Sequence, residues 1–233
     1  MFRAFARGAI GTAAVLFATI TYTWFTLPDP RRLKRENPPS TAFMDLRAAQ
    51  ARAAGKTIHP SFRWVSYDRI GSPLKRAVLL AEDAAFWSHD GVDYAELRAA
   101  LADSVEKGES LRGASTITQQ LAKNLYLSPS RNPFRKLSEL FIARRLEVEL
   151  SKRRILELYL NVIEWGDNIW GAEAASRAYF GTSAADLSDD QAALLAGAII
   201  NPRLYSPAHP NARLLRRQDI ILRKMGSYTG GVF

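Results

Sequence analysis

The apolar positions of the chain follow two different patterns. From 8 to 27 no residue is charged, and Val15, Leu16, Phe17, Ile20, Trp24 and Phe25 are interrupted only by small residues and threonines. A helix of about 20 residues rises roughly 30 Å, the thickness of a bilayer core. Tyr22 and Trp24 stand near its C-terminal end, where an interfacial aromatic belt belongs, and Pro28-Asp29-Pro30 stops it. The pattern predicts a short tail over 1–7 and one transmembrane helix over 8–27. A cleaved signal peptide fits less well, because the run is long for an h-region and no small-x-small site follows it. Arg3 and Arg7 precede the span while Arg31, Arg32, Lys34 and Arg35 follow it, so charge alone slightly opposes an N-terminus-inside orientation.

Beyond a basic, proline-rich linker over 28–40, residues 41–233 read as one mainly α domain. Ser72 and Pro73 start a helix whose apolar positions include Leu74, Ala77, Val78 and Ala81. Further helices are expected over 94–105, closing near Gly108, then over 115–127, 134–150 and 171–179. Ser151 caps one running to about Val162, with Ile155, Leu158, Tyr159 and Val162 as its core stripe. Ser188 and Gln191 form a capping box for an apolar helix through Ile200, and a basic helix over 210–225 closes the pattern. Strand signals are sparse, the best being 63–67; 165–171 reads as turns carrying core aromatics.

Composition narrows the functional classes. The chain has 233 residues, 47% of them hydrophobic, which suits a packed core rather than disorder. Its net charge of +9 favours an anionic partner: nucleic acid, acidic lipid or a phosphorylated substrate. It has no cysteine, so thiol nucleophiles, disulfides and zinc-thiolate sites are excluded.

Three stretches carry candidate chemistry. The first is Glu82-Asp83-Ala84-Ala85-Phe86-Trp87-Ser88-His89-Asp90-Gly91, where adjacent carboxylates at a helix end lie near an aromatic ring, a setting that perturbs acidity. His89 shares their face if the helix persists. No second histidine stands at metal-ligand spacing. The second runs from Gly113 to Asn124. On a helix, Thr116, Gln119, Gln120, Lys123 and Asn124 share one face, opposite Ile117, Leu121 and Leu125. Neutral amides and hydroxyls suit sugar hydroxyls and acetamido groups, and Lys123 offers a point charge to a phosphate. The third places Glu139 one turn after Arg135, beside the apolar stripe Ile142, Ala143, Leu146, so this carboxylate should be partly buried and in need of a partner. Arg135 is the local candidate, with Arg131 and Lys136 adding positive field. Taken singly, each has a plain alternative: a solvated acidic helix end, an ordinary polar face, an i,i+4 ion pair.

With Gly171-Ala172-Glu173-Ala174-Ala175, Tyr179-Phe180-Gly181, Asn201-Pro202 and Tyr205-Ser206-Pro207, the ordered motifs between about 63 and 207 resemble the peptidoglycan transglycosylases of glycosyltransferase family 51, in their monofunctional biosynthetic branch. The resemblance implies a lysozyme-like, two-lobed helical fold behind a single N-terminal membrane helix in the bacterial inner membrane, with the catalytic domain on the outer side. It implies lipid II and a lipid-linked glycan as substrates, joined through β-1,4 linkages with inversion and loss of undecaprenyl diphosphate. Glu82 would then be the general base. Glu139, with Lys123, Arg131 and Arg135, would serve the donor diphosphate. Asp83, Phe86, His89, Thr116, Gln120 and Asn124 would bind substrate. No organic cofactor and no dedicated metal cage are implied; magnesium or manganese would ride with the diphosphate. Nucleic acid is not an expected partner, whereas cell-wall synthesis or division proteins are. No penicillin-binding domain is expected to follow, hence no transpeptidation. Two rivals stay open on the residues alone: a glycan-cleaving enzyme of lysozyme type, and a membrane-tethered basic binding module without catalysis.

Overall fold

The computed structural model describes residues 11, 17, 18, 21, 26–108, 115–127 and 133–227. The expected membrane helix over 8–27 therefore lies largely outside the described residues, as do Gly113 and Arg131. Among those described, no helix is long and apolar enough to cross a membrane.

The domain is mainly helical, as its periodicity requires. Its helices are α1 (Ala42–Ala53), α2 (Ser72–Glu82), α3 (Tyr94–Lys107), α4 (Ile117–Tyr126), α5 (Pro133–Glu149), α6 (Lys152–Val162), α7 (Ala172–Phe180), α8 (Asp189–Ala198) and α9 (Ala212–Ser227). Ser151 caps α6, and Ser188 with Gln191 forms the expected capping box of α8. Gly71 rather than Ser72 occupies the N-cap of α2, which moves Pro73 one position into the helix. Two groups of helices form, α2 with α8 and α9, and α4 with α5 and α6. Leu74, Val78, Ile117, Leu121, Leu146 and Leu158 are fully buried in the core that joins them.

A small sheet, in the order β1-β3-β2, was not foreseen. It comprises β1 (Ser61–Phe62), β2 (Glu164–Gly166) and β3 (Ile169–Trp170), so the expected strand over 63–67 sits slightly earlier. Beyond β1, Asn161 stands in for a strand edge: its Oδ1 accepts from Val65 N and its Nδ2 donates to Val65 O, both at 2.9 Å. Gly171, at φ +82°, leaves the hairpin for α7; a Cβ there would stand 2.6 Å from Asn161 O, so only glycine fits.

The segment over 28–40 is not a free linker. Pro30–Lys34 is a 3-10 turn with Leu33 buried, and Leu27 is buried before it. Arg154 donates to Leu33 O at 2.7 Å, Glu36 O at 2.9 Å and Asn37 Oδ1 at 2.8 Å. Arg145 donates to Leu27 O, and Lys34 pairs with Glu149 at 2.7 Å. Carbonyls that composition marked as solvated are held by two arginines of the domain.

Candidate active site

Helix α2 ends at Glu82, and the chain turns instead of continuing as a helix. His89 thus reaches its neighbours by folding back rather than by helical spacing. Its Nε2 lies 3.0 Å from Asp83 Oδ1, while Gly91 N donates to its Nδ1. Since Nδ1 accepts, the proton sits on Nε2 and is given to Asp83. Asp83 Oδ2 also accepts from Ile117 N at 2.9 Å, at the start of α4. A carboxylate is favoured at a helix N-terminus, where unpaired N–H groups point outward. Asp83 and His89, expected to bind substrate, are turned inward, and together they lock the end of α2 against the start of α4. Phe86, expected in the same role, is fully buried beneath Trp87, with the Lys152 ammonium 4.4 Å from its ring centre.

This lock sets Glu82 against α4. Gln120 Nε2 donates to Glu82 Oε2 at 2.9 Å, and Gln120 Oε1 accepts from Tyr159 OH at 2.9 Å. Burial holds the Tyr159 hydroxyl well above its ordinary acidity range, reinforced by the Glu82 and Asp83 carboxylates, so it remains a donor. That fixes which way the Gln120 amide faces. Burial also raises the Glu82 pKa above the ordinary carboxylate value; the Gln120 bond, Arg217 and Lys123 oppose the shift and Asp83 adds to it. Glu82 opens into a cleft of about 240 Å³ with Ser115, Asp93, Glu96 and Lys224 in its walls.

The polar face of α4 is narrower than its spacing implied. Thr116 is the N-cap, closing a capping box with Gln119, and its hydroxyl donates to Gly91 O at 2.7 Å. Both of its hydrogen-bonding roles are filled, so Thr116 walls the cleft without offering it a group. Gln119 is buried, and Asn124 is nearly so, its amide donating to Gln120 O at 2.8 Å. Gln120 and Lys123 remain as the side chains of that face available to a ligand. Lys123 is half-buried; desolvation lowers its pKa first, Glu139 opposes the shift, and Arg135 and Lys136 add to it.

Glu139 is buried to 4% exposure and partnered as its apolar surroundings demand, by Arg135 at 3.4 Å and by the Lys136 ammonium. Lys136 also donates to Ser115 Oγ at 3.1 Å. Three cations, Lys123, Arg135 and Lys136, thus surround one carboxylate, which leaves the cluster net positive and open to an anion. Among the described residues no group of three histidine, aspartate or glutamate side chains is placed so that it could hold a metal ion.

Some members escaped sequence reading. Tyr159 sits in the core stripe of α6, as its periodicity says, yet its hydroxyl serves Gln120. A tyrosine in a fully buried stripe needs a hydroxyl partner, and that was the available signal. Arg217 and Lys224 come from α9, where a spacing of seven puts them on one face toward Glu82; Lys224 also donates to Leu80 O.

The chain is similar to known proteins over most of its length. The family model described as Transglycosylase matches residues 51–226. The Biosynthetic peptidoglycan transglycosylase of Laribacter hongkongensis is 44% identical over 92% of this chain and 94% of its own length. The protein of the same description from Thiobacillus denitrificans is 47% identical over 93% and 94%, and that of Aromatoleum aromaticum is 50% identical over 72% and 74%. A match running from α1 into α9, carried at this identity along nearly the whole of two relatives, means that the chain belongs to the transglycosylase family.

Proposed function

We propose that this glycosyltransferase of peptidoglycan synthesis polymerises lipid II into β-1,4-linked glycan, with Glu82 as general base and the Glu139 cluster as the donor's diphosphate site. The observation that carries the reading is the asymmetry of the two carboxylates. Glu82 is held by a neutral amide and its pKa is raised by burial, the condition of a proton acceptor poised toward working pH. Glu139 is already paired, and its neighbourhood carries excess positive charge.

In this reading Glu82 takes the proton from the acceptor sugar's 4-hydroxyl as that oxygen attacks the donor's anomeric carbon with inversion. The bond to the diphosphate breaks on the opposite side, and its electron pair leaves with the lipid diphosphate. Lys123, Arg135 and Lys136 stabilise the charge that develops there. Lys123, whose charge burial and like-charged neighbours disfavour, gains most from an arriving anion. Arg217 and Lys224 supply a second positive field beside Glu82 on the acceptor side. Asp83, His89 and Tyr159 act through others as positioning residues. A magnesium or manganese ion belongs to the substrate diphosphate here, and no step is routed through it.

The finer architecture is a lysozyme-like pair of lobes behind a single membrane anchor over 8–27, with the domain outside the bacterial inner membrane. A lipid-bound substrate and product give that anchor its purpose. The arginine-held strap over 27–37 would keep the domain at a fixed position beside it. Incubating the protein with labelled lipid II, and separately with finished peptidoglycan, tests the whole. Polymer from the first and no fragments from the second is expected; fragments without polymer would make the protein a hydrolase.

A further inference from the structure

The first turn of α6 is built against electrostatic preference. Ser151 is its N-cap, so Lys152, Arg153 and Arg154 fill the turn, at the end where a helix dipole disfavours positive charge. Each of the three reaches outward to the same kind of partners, an aromatic ring and a carboxylate. Arg154 lies 5.4 Å from the Trp64 ring centre and pairs with Glu157 at 2.9 Å. Arg153 lies 4.4 Å from the Tyr67 ring centre and pairs with Asp68. Lys152 lies 4.4 Å from the Phe86 ring centre and pairs with Glu147 at 2.8 Å. Of these rings, Phe86 belongs to the turn that follows Glu82.

That turn is held at its middle and at its end. Phe86 is fully buried, with the Trp87 ring 5.1 Å away and the His89 ring 6.3 Å away, so residues 83–91 fold around it. A cation over a desolvated ring is attracted by the negative face of its π system and keeps that face turned toward it. Glu147 in turn keeps the cation in place: its buried carboxylate accepts at Oε1 from Lys152 Nζ and from the Thr118 hydroxyl of α4. The same side chain bounds the end of the turn, since a Cβ on Gly91 would stand 3.1 Å from Glu147 Cγ. Ala84 and Ala85, between Glu82 and Phe86, line the Glu82 cleft, while Lys152 and Glu147 stand outside its walls. The pair meets the site through the turn.

We propose that Lys152 and Glu147 are positioning residues for the general base: by pinning the Phe86 ring they fix the turn over 83–91, and with it the reach of Glu82 to the acceptor hydroxyl. The proposal rests on the general-base reading of Glu82 above. Helix α6 then holds Glu82 by two routes, through Tyr159 and Gln120, and through Lys152 and Phe86. A base must stand within hydrogen-bond reach of the proton it takes, and a displacement of about 1 Å can cost about 10²-fold in rate. Loss of the cation therefore lowers kcat and spares KM, because Lys123, Arg135 and Lys136 keep their places.

The test uses the full chain with labelled lipid II. Both kcat and KM are measured for wild type, Lys152→Met, Lys152→Arg, Phe86→Leu and the Lys152→Met, Phe86→Leu double variant, each well below its melting temperature. Lys152→Met should lose about tenfold in kcat with KM within about twofold of wild type. Lys152→Arg keeps a cation on the ring and should restore kcat to within about twofold. In the Phe86→Leu background, Lys152→Met should cost less than about twofold more, because the lysine acts through that ring. If Lys152→Met does not fold, Glu147→Gln takes its place with the same expected split, since it frees the ammonium while still accepting from Thr118. A folded Lys152→Met that melts earlier but keeps the wild-type kcat overturns the proposal and leaves the pair structural. A rise in KM at unchanged kcat, a Lys152→Arg no better than Lys152→Met, or a full further tenfold loss in the Phe86→Leu background overturns it too. Glu82→Gln is run alongside: wild-type polymerisation by that variant overturns the general-base reading itself, and the positioning role with it.

Discussion

Tyr159→Phe probes how the base is held, because it removes one buried oxygen atom whose partner is the Gln120 amide. In the wild type the hydroxyl donates to Gln120 Oε1 at 2.9 Å, and Gln120 Nε2 in turn donates to Glu82 at 2.9 Å. Without the hydroxyl the amide is free to turn, and its N–H is no longer committed to the carboxylate. Hydrogen bonds to charged groups are worth roughly 1.5–3 kcal/mol, and a change of 1.36 kcal/mol displaces a pKa by one unit. The Gln120 bond lowers the Glu82 pKa, so weakening it raises that pKa further. A general base works ionised, so the acid limb of kcat/KM should move to higher pH, by up to about one unit if half of the bond's energy is lost. The global cost should be about 1–2 kcal/mol, because the substitution leaves one amide oxygen unsatisfied while sparing a hydroxyl from burial. The assay is the pH profile of kcat/KM with lipid II, beside thermal melting. An acid limb that stays in place while stability falls would refute the relay and reduce Tyr159 to a core residue.

Three further outcomes follow from other contacts. Arg154→Ala should release the strap over 27–37 and cost about 2–3 kcal/mol, through three lost charge-assisted bonds and an unpaired Glu157, read by melting and by new proteolytic cleavage in the strap. Gly171→Ala should lower stability by about 2 kcal/mol or more, because a positive φ is combined with a Cβ 2.6 Å from Asn161 O; an unchanged melting temperature would contradict the hairpin geometry. Glu139→Gln should reduce turnover at least about tenfold relative to the exposed control Glu106→Gln, since it unbalances the cation cluster around the diphosphate; equal effects would leave Glu139 a structural ion pair.

Helix boundaries were legible because the residues that terminate helices act locally. Ser151, Ser188 and Gly108 interact with backbone a few residues away, and each ends or starts a helix where its chemistry says. The sheet was not legible, because strands of two or three residues carry no periodicity and β1 pairs with β3 across the whole helical core. The candidate site was half legible. Residue types and order pointed to Glu82, Gln120, Lys123 and Glu139. Which way each side chain faces depended on tertiary contacts: Asp83 is drawn inward by the N-terminus of α4, and Thr116 is taken up as its cap. Tyr159, Arg217 and Lys224 lie far from the motifs in sequence and enter the site only through packing. Composition misread the strap because it counts prolines and arginines, while the contacts that hold it come from Arg145 and Arg154.

The most direct test of the account is Glu82→Gln, measured both for turnover and for stability. Its carboxylate has a folded-state pKa raised by burial, so between its ordinary value and the raised one the folded protein binds the extra proton, and stability declines as pH rises through that window. A neutral amide removes that cost and still accepts from Gln120. The account predicts polymerisation of lipid II down by about 10²–10⁴-fold, the usual worth of a general base, with a melting temperature at neutral pH equal to or above that of the wild type. Retained polymerisation in a folded Glu82→Gln protein would contradict it.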